Sequence, residues 1–242
     1  MNMEAEDWTS RTRLLLGDEG FRRLREASVL VAGAGGVGGY VAETLVRSGV
    51  GRICVVDADD VAASNINRQL IADTTTVGRP KAELWQERLT RINPECEVDA
   101  RALYITPDNV EEILAVGFDY VADCIDTIAP KVALLRRCVA ERIPVISSMG
   151  AGGRLDPSRI ALGDLWETRE DGLARAVRQA FKRLGEHPRI RVVRSSEAPR
   201  KSALIDLEGF ENKRSSFGTL ATIPAIFGLT MANHIILSLS KT

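Results

Sequence analysis

Apolar residues recur along the chain in short blocks separated by longer amphipathic stretches. Strand-like runs fall at 29–32, 53–56, 98–102, 120–122 and 145–148, with helical patterns between them. The first, Val29-Leu30-Val31, is the pattern of a strand covered on both faces. This alternation predicts an α/β fold: a Rossmann-like, doubly wound, mainly parallel sheet with a C-terminal extension. Further strands are expected at 159–162 and 190–194, with a basic helical insertion above the site at about 164–201. No repeat or low-complexity linker interrupts the 242 residues, so a single domain over 1–242 is expected. Residues 1–10 are polar and acidic, the composition of a frayed end.

The first strand runs into Gly33-Ala34-Gly35-Gly36-Val37-Gly38, and a helical pattern follows at 40–47. This is G-x-G-x-x-G between a strand and a helix, the context in which the motif binds nucleotides. Gly33 permits a tight turn, Gly35 removes a side chain that would block phosphate, and Gly38 lets helix and strand pack closely. The helix N-terminus offers free N–H groups to an anion. Asp57 ends the second strand 19 residues beyond Gly38, where a carboxylate can accept ribose hydroxyls. The bland reading is a glycine-rich turn without a ligand.

A hydride-transfer enzyme has no need of the arginine and lysine that come next. The polar loop Ser64-Asn65-Ile66-Asn67-Arg68-Gln69 leaves the carboxyl end of that strand, and Gly78-Arg79-Pro80-Lys81 comes soon after. Arg68 offers a planar fork of donors, and Lys81 a compact charge at an expected helix start. Two cations converging on a triphosphate would stabilise the charge that builds as pyrophosphate departs. Both are otherwise ordinary surface cations. Asp123 and Asp126 lie just beyond the 120–122 strand. Asp126 is the candidate for Mg²⁺, which takes one or two carboxylates plus substrate oxygens. Its alternative role is N-cap of the next helix.

Together these elements resemble the ThiF-like adenylyltransferases, relatives of the ubiquitin-activating enzymes. The resemblance rests on the glycine motif, Asp57 and Asp59, the Ser64–Gln69 loop, Gly78 to Lys81, and Asp123 with Asp126. It implies a site for ATP and Mg²⁺ built from Gly33, Gly35, Gly36, Gly38, Asp57, Asp59, Ser64, Asn65, Arg68, Gln69, Lys81, Asp126 and Thr127. Arg68, Lys81 and Asp126 would be catalytic, with Asp126 at the metal. Residues 10–17 resemble the family's N-terminal arm, so Arg11, or alternatively Arg13, would reach the ATP of a partner subunit in a homodimer. Segments 91–96 (RINPEC), 106–110 (TPDNV), 129–131 (APK), 150–153 (GAGG) and 156–157 (DP) resemble one branch, the bacterial tRNA threonylcarbamoyladenosine dehydratases. That likeness implies a tRNA partner bearing threonylcarbamoyladenosine. Its threonylcarbamoyl carboxylate would be adenylated and then attacked intramolecularly, with net loss of water.

Four cysteines, none in C-x-x-C, provide no structural zinc site of the kind many relatives carry. No cysteine follows Cys138, which argues against thioester transfer; the branch often has one before its last helix, yet 213–218 has none. Cys54, Cys138 and Cys124 read as small buried hydrophobes. Few cysteines and no signal-like N-terminus fit the cytoplasm. The apolar run 220–239 contains Pro224, Gly228, Asn233 and His234, so it reads as a buried helix or subunit contact rather than a membrane span.

Charge is segregated. Residues 1–150 hold 17 Lys+Arg against 23 Asp+Glu, a net of −6; residues 151–242 hold 15 against 10, a net of +5. Between Arg169 and Lys201 lie ten basic and four acidic residues. Within it, Leu173, Val177, Ala180 and Leu184 form one helical stripe, and cations cover the other face. That face is either solvated or an electrostatic footprint for RNA phosphates. Two alternatives stay open: adenylation of the C-terminal carboxylate of a ubiquitin-like sulfur-carrier protein, and a NAD-dependent or nucleotide-sensing protein using the glycine turn alone.

Overall fold

Val29 and Val31 point to one side of β1 (Ser28–Ala32), Leu30 and Ala32 to the other, and all four are fully buried. A strand sealed on both faces needs helices on both, and the fold supplies them. The computed structural model describes residues 7–206 and 215–241. Most of the expected frayed end and residues 213–214 therefore lie outside the described residues.

β1 lies between β2 (Arg52–Val56) and β4 (Tyr120–Asp123), with Val29 registered against both Ile53 and Tyr120. The seven-stranded order is β3-β2-β1-β4-β5-β7-β6, with β3 (Glu97–Arg101), β5 (Val145–Ser148), β6 (Ile160–Asp164) and β7 (Arg191–Ser195). Only the edge strand β6 runs antiparallel, against β7. The chain leaves β1 towards β2 and leaves β4 towards β5. The crevice between their carboxyl ends is the topological switch point where such sheets bind ligands.

One face carries α2 (Gly38–Arg47), α3 (Lys81–Ile92) and α7 (Thr222–Leu239), through Val41, Leu45, Trp85, Leu89, Phe227 and Met231. The other carries α4 (Val110–Leu114) and α5 (Ile128–Glu141), through Ile113, Leu134 and Cys138. Fully burying each such aliphatic side chain contributes roughly 1.5–3 kcal/mol. α7 has the length and mean hydropathy of a membrane span, but it packs on α2, where a Cβ at Gly228 would meet the Val37 carbonyl at 2.5 Å. His234 on α7 meets Tyr120 edge-on, at the end of β4 remote from Asp123.

α1 (Ser10–Glu26) breaks at Gly17, whose φ is 74°. A two-stranded ribbon, β8 (Leu204–Asp206) with β9 (Ser215–Phe217), precedes α7.

The basic segment departs from expectation in the face its helix buries. α6 (Gly172–Arg183) buries Ala174, Val177 and Phe181, while Leu184 is exposed, so the apolar stripe is rotated from the one periodicity suggested. Phe181 decides this, because the larger ring takes the core position beside Val132 and Leu135 of α5. α6 is therefore a layer helix packed on α5. Its outward face still carries Arg175, Lys182 and Arg183, all exposed.

Candidate active site

The glycine turn is held by its neighbours. Gly33 has φ +83°, a left-handed backbone that favours glycine. A Cβ on Gly38, the first residue of α2, would lie 1.8 Å from the Gly33 carbonyl oxygen, so no side chain fits there. Between them, Ala34 is pinned twice. Its N–H donates to Asp57 Oδ2 at 2.7 Å, and its carbonyl accepts the Trp85 indole N–H at 3.0 Å. Side-chain atoms of Gln69 and Arg68 face Gly35 and Gly36, at 3.4 and 3.3 Å from where a Cβ would stand.

Asp57 caps β2, with its second oxygen accepting the Asp59 N–H at 3.0 Å. Burial raises its pKa, opposed mainly by the charge of Lys81. The chain returns to this point through an isolated bridge between Asp60 and Pro80, which delivers Lys81 at the start of α3. Lys81 is 4% exposed; its Nζ donates to Asp59 Oδ2 at 2.7 Å and lies 3.6 Å from Asp57 Oδ1. The three residues expected at the nucleotide thus meet in one ion cluster.

The polar loop is built around Asn65, whose Oδ1 accepts the Ala62 N–H and whose carbonyl accepts the N–H groups of Arg68 and Gln69. Ser64 enters through its carbonyl, which accepts Arg68 Nη1 at 2.8 Å. Asn67 Oδ1 takes the same Nη1 at 2.8 Å, while its amide donates to the Thr219 carbonyl. Burial lowers the Arg68 pKa and the negative charge of Asp126 counters it, so Asp126 lies within electrostatic reach of Arg68. Gln69 is 7% exposed, and its Oε1 has no hydrogen-bond partner among the described residues. A buried acceptor left without a donor beside a side-chain-free turn fits a polar ligand there.

Asp126 is exposed, and the N-cap of α5 is Thr127, so Asp126 does not take the capping alternative. Thr127 makes no side-chain cap bond. Asp123 points inward instead, to Lys131. No cluster of three or more His, Cys, Asp or Glu able to hold a metal occurs among the described residues. A single carboxylate plus substrate oxygens is the donor set that suits Mg²⁺, and Asp126 can supply it. Arg11 is exposed and has no ion pair or side-chain hydrogen bond among the described residues; Arg13 pairs with Asp18. Within one chain neither joins the cluster at the glycine turn.

Burial pushes the thiols of Cys54 and Cys138 up to about 12 and that of Cys96 to about 11, and it raises that of Cys124. Such thiols are inert as nucleophiles at neutral pH. A groove of about 590 Å³ between α4, α5 and the link into β7 is lined by the pairs Arg136–Glu186 and Arg137–Glu111 and includes no glycine-turn residue. Sequence reasoning missed Trp85, Asn67, Thr219 and the Lys131–Asp123 pair. The first three act through backbone contacts to distant segments, which leave no periodic signal.

A sequence model of the ThiF family matches residues 9–242. The tRNA threonylcarbamoyladenosine dehydratase of Bacillus subtilis is 40% identical over 239 residues, 96% of this chain and 94% of that one. The crystal structure of the Escherichia coli tRNA N6-threonylcarbamoyladenosine dehydratase TcdA in complex with ATP superposes with a TM-score of 0.86 at 36% identity, covering 96% of this chain and 93% of the other. The sulfur carrier protein ThiS adenylyltransferase of Escherichia coli matches less of the chain, 63%, at 35% identity.

Proposed function

The chain belongs to the ThiF family, and on that premise we propose that it catalyses the ATP-dependent dehydration of threonylcarbamoyladenosine in tRNA. The observation that carries the reading is the gathering of Asp57, Lys81 and Arg68 around one side-chain-free turn, with the charge of Asp126 in reach of Arg68, in a fold that binds ATP in a relative.

The ribose hydroxyls of ATP donate to Asp57, and the phosphates lie along Gly35 and Gly36. A carboxylate oxygen of the threonylcarbamoyl group attacks the α-phosphorus, and the bond to pyrophosphate breaks. Arg68 and Lys81 take up the charge on the departing pyrophosphate, Lys81 by exchanging Asp59 for phosphate oxygen. The acyl adenylate is then attacked within the same side chain. AMP leaves with the former carboxylate oxygen, the attacking ureido group releases its proton to solvent, a ring closes, and relative to the starting acid the nucleoside has lost one water. Asp126 would hold Mg²⁺, which supplies positive charge to the phosphates. Gln69, Ser64, Asn65, Asp59 and Thr127 shape the pocket rather than react.

The exposed cations on the outer face of α6 offer tRNA phosphates a footprint. Leu14 and Leu15 are 86% and 84% exposed next to Arg11, which supports a homodimer in which that arm reaches the partner's ATP. Adenylation of a sulfur-carrier protein is the weaker reading, because the match over nearly the whole chain is to dehydratases.

The decisive experiment is incubation with ATP, Mg²⁺ and tRNA carrying threonylcarbamoyladenosine, followed by mass analysis of the nucleosides. The expected product is lighter by one water. An unchanged nucleoside under conditions where ATP is bound refutes the substrate.

A further inference from the structure

Beneath the loop that presents Asp126 lies an ion pair that the reaction does not touch. Asp123, Lys131 and Ser147 each have no exposed surface. Lys131 Nζ donates to Asp123 Oδ2 at 2.6 Å and to Ser147 Oγ at 3.1 Å. The Ser147 hydroxyl donates to the same carboxylate oxygen at 2.6 Å. The other oxygen, Oδ1, accepts the Ile125 N–H at 3.1 Å, one residue before Asp126.

Stability alone does not account for this arrangement. Removing two charges from water costs about as much as their attraction returns, and well-packed apolar residues usually serve as well. What an apolar pair cannot do is accept a backbone N–H from the loop above. The three side chains come from the end of β4, the body of β5 and the first turn of α5, so they fix both ends of the short 124–127 connection. That connection also borders the nucleotide turn. The Cys124 N–H donates to the Ala32 carbonyl at 2.8 Å, and a Cβ on Gly33 would stand 3.1 Å from the Cys124 carbonyl oxygen.

We propose that Asp123, held by Lys131 and Ser147, is the positioning residue for Asp126: its Oδ1 fixes the Ile125 amide and so sets where the Asp126 carboxylate stands relative to Arg68 and the phosphates. This rests on the assignment of Asp126 to the ATP–Mg²⁺ site.

Two double variants isolate Oδ1. Asp123→Leu/Lys131→Met removes the ion pair and the acceptor. Asp123→Asn/Lys131→Met removes the ion pair and keeps an acceptor for Ile125. Both are compared with wild type by urea unfolding, amide hydrogen exchange over 124–127, calorimetric titration with ATP with and without Mg²⁺, and steady-state kinetics. The leucine variant is expected to exchange at least about 10-fold faster in the loop at similar global stability. Its Mg²⁺-dependent gain in ATP affinity should drop, and kcat should fall with the KM for tRNA unchanged. The asparagine variant should stay within about 3-fold of wild type in each, since neutralising both partners together leaves no unpaired buried charge. Should the leucine variant lose cooperative unfolding, Asp123→Ala/Lys131→Met replaces it in the same comparison.

Equal loop exchange in the two variants overturns the proposal, whatever the activity. Asp126→Asn separates the underlying assignment: if it leaves Mg²⁺ dependence intact, the site reading fails, while the loop-exchange difference still decides the role of Asp123.

Discussion

Trp85 and Gly39 provide a sharp test of how the nucleotide turn is held. Trp85 is fully buried, its indole N–H donates to Ala34, and a Cβ on Gly39 would stand 2.5 Å from ring atom Cζ2. Trp85→Phe removes the donor and the outer ring. Leaving a buried carbonyl without its partner costs about 1–3 kcal/mol. A cavity of a few tens of Å³ adds about 1 kcal/mol at ~24 cal/mol per Å³. The expected loss is therefore about 2–4 kcal/mol of unfolding free energy, with weaker ATP binding because Ala34 is freed on one side. Gly39→Ala alone forces a methyl into an immobile ring, costing about 1–3 kcal/mol against a helix-propensity gain of about 1. With phenylalanine at 85 the clashing atom is gone, and the same methyl becomes neutral or stabilising. Urea unfolding of the four proteins of this double-mutant cycle should show a coupling of about 1–3 kcal/mol, the size of the relieved clash. Costs that add within about 0.5 kcal/mol would refute the packing argument.

Other outcomes rest on the same geometry. Arg68→Ala should cut turnover by about 10²–10³-fold with its unfolding midpoint unchanged, and Lys81→Ala similarly, with some loss of stability because Asp57 loses a counter-charge. A wild-type rate in either variant removes that residue from the chemistry. Because burial raises the Asp57 pKa, its contribution to stability is present below the ordinary carboxylate value and is lost as pH rises through the raised one. In the proposed site its ionised form would accept the ribose hydroxyls, so ATP affinity should fall on acidification at a higher pH than an ordinary aspartate predicts, and Asp57→Asn should flatten that limb in calorimetric titrations. Replacing Arg175, Lys182 and Arg183 together with Gln should raise the tRNA KM and reduce the slope of its salt dependence by up to about 3. If neither changes, the outer face of α6 is only solvated.

Much of the fold was legible in the residues. Val29 to Gly38 carries its own secondary structure, because continuous apolarity requires two covered faces and glycine spacing requires a tight turn before a helix. Asp57 and Lys81 were equally readable, since the end of a strand and a helix start behind proline are local features. The strand at 98–102 was displaced by one residue, to Glu97–Arg101, because pairing with β2 sets that register. The face of α6 was misjudged for a related reason: periodicity counts apolar positions equally, whereas packing against α5 favoured the ring of Phe181 over Leu184.

By itself the sequence determined the order of strands and helices, the glycine turn between β1 and α2, and the charged residues at the end of β2 and the start of α3, because each depends on neighbours within a few positions. The tertiary structure alone decided that Trp85 braces Ala34 from 51 residues away, that Asn67 ties Arg68 to Thr219 across 152, and that Asp123 turns inward to Lys131 while Asp126 turns out. Those contacts join different elements, and which side chains meet across the crevice is set by how the sheet, α3, α5 and α7 pack, a property no local pattern encodes.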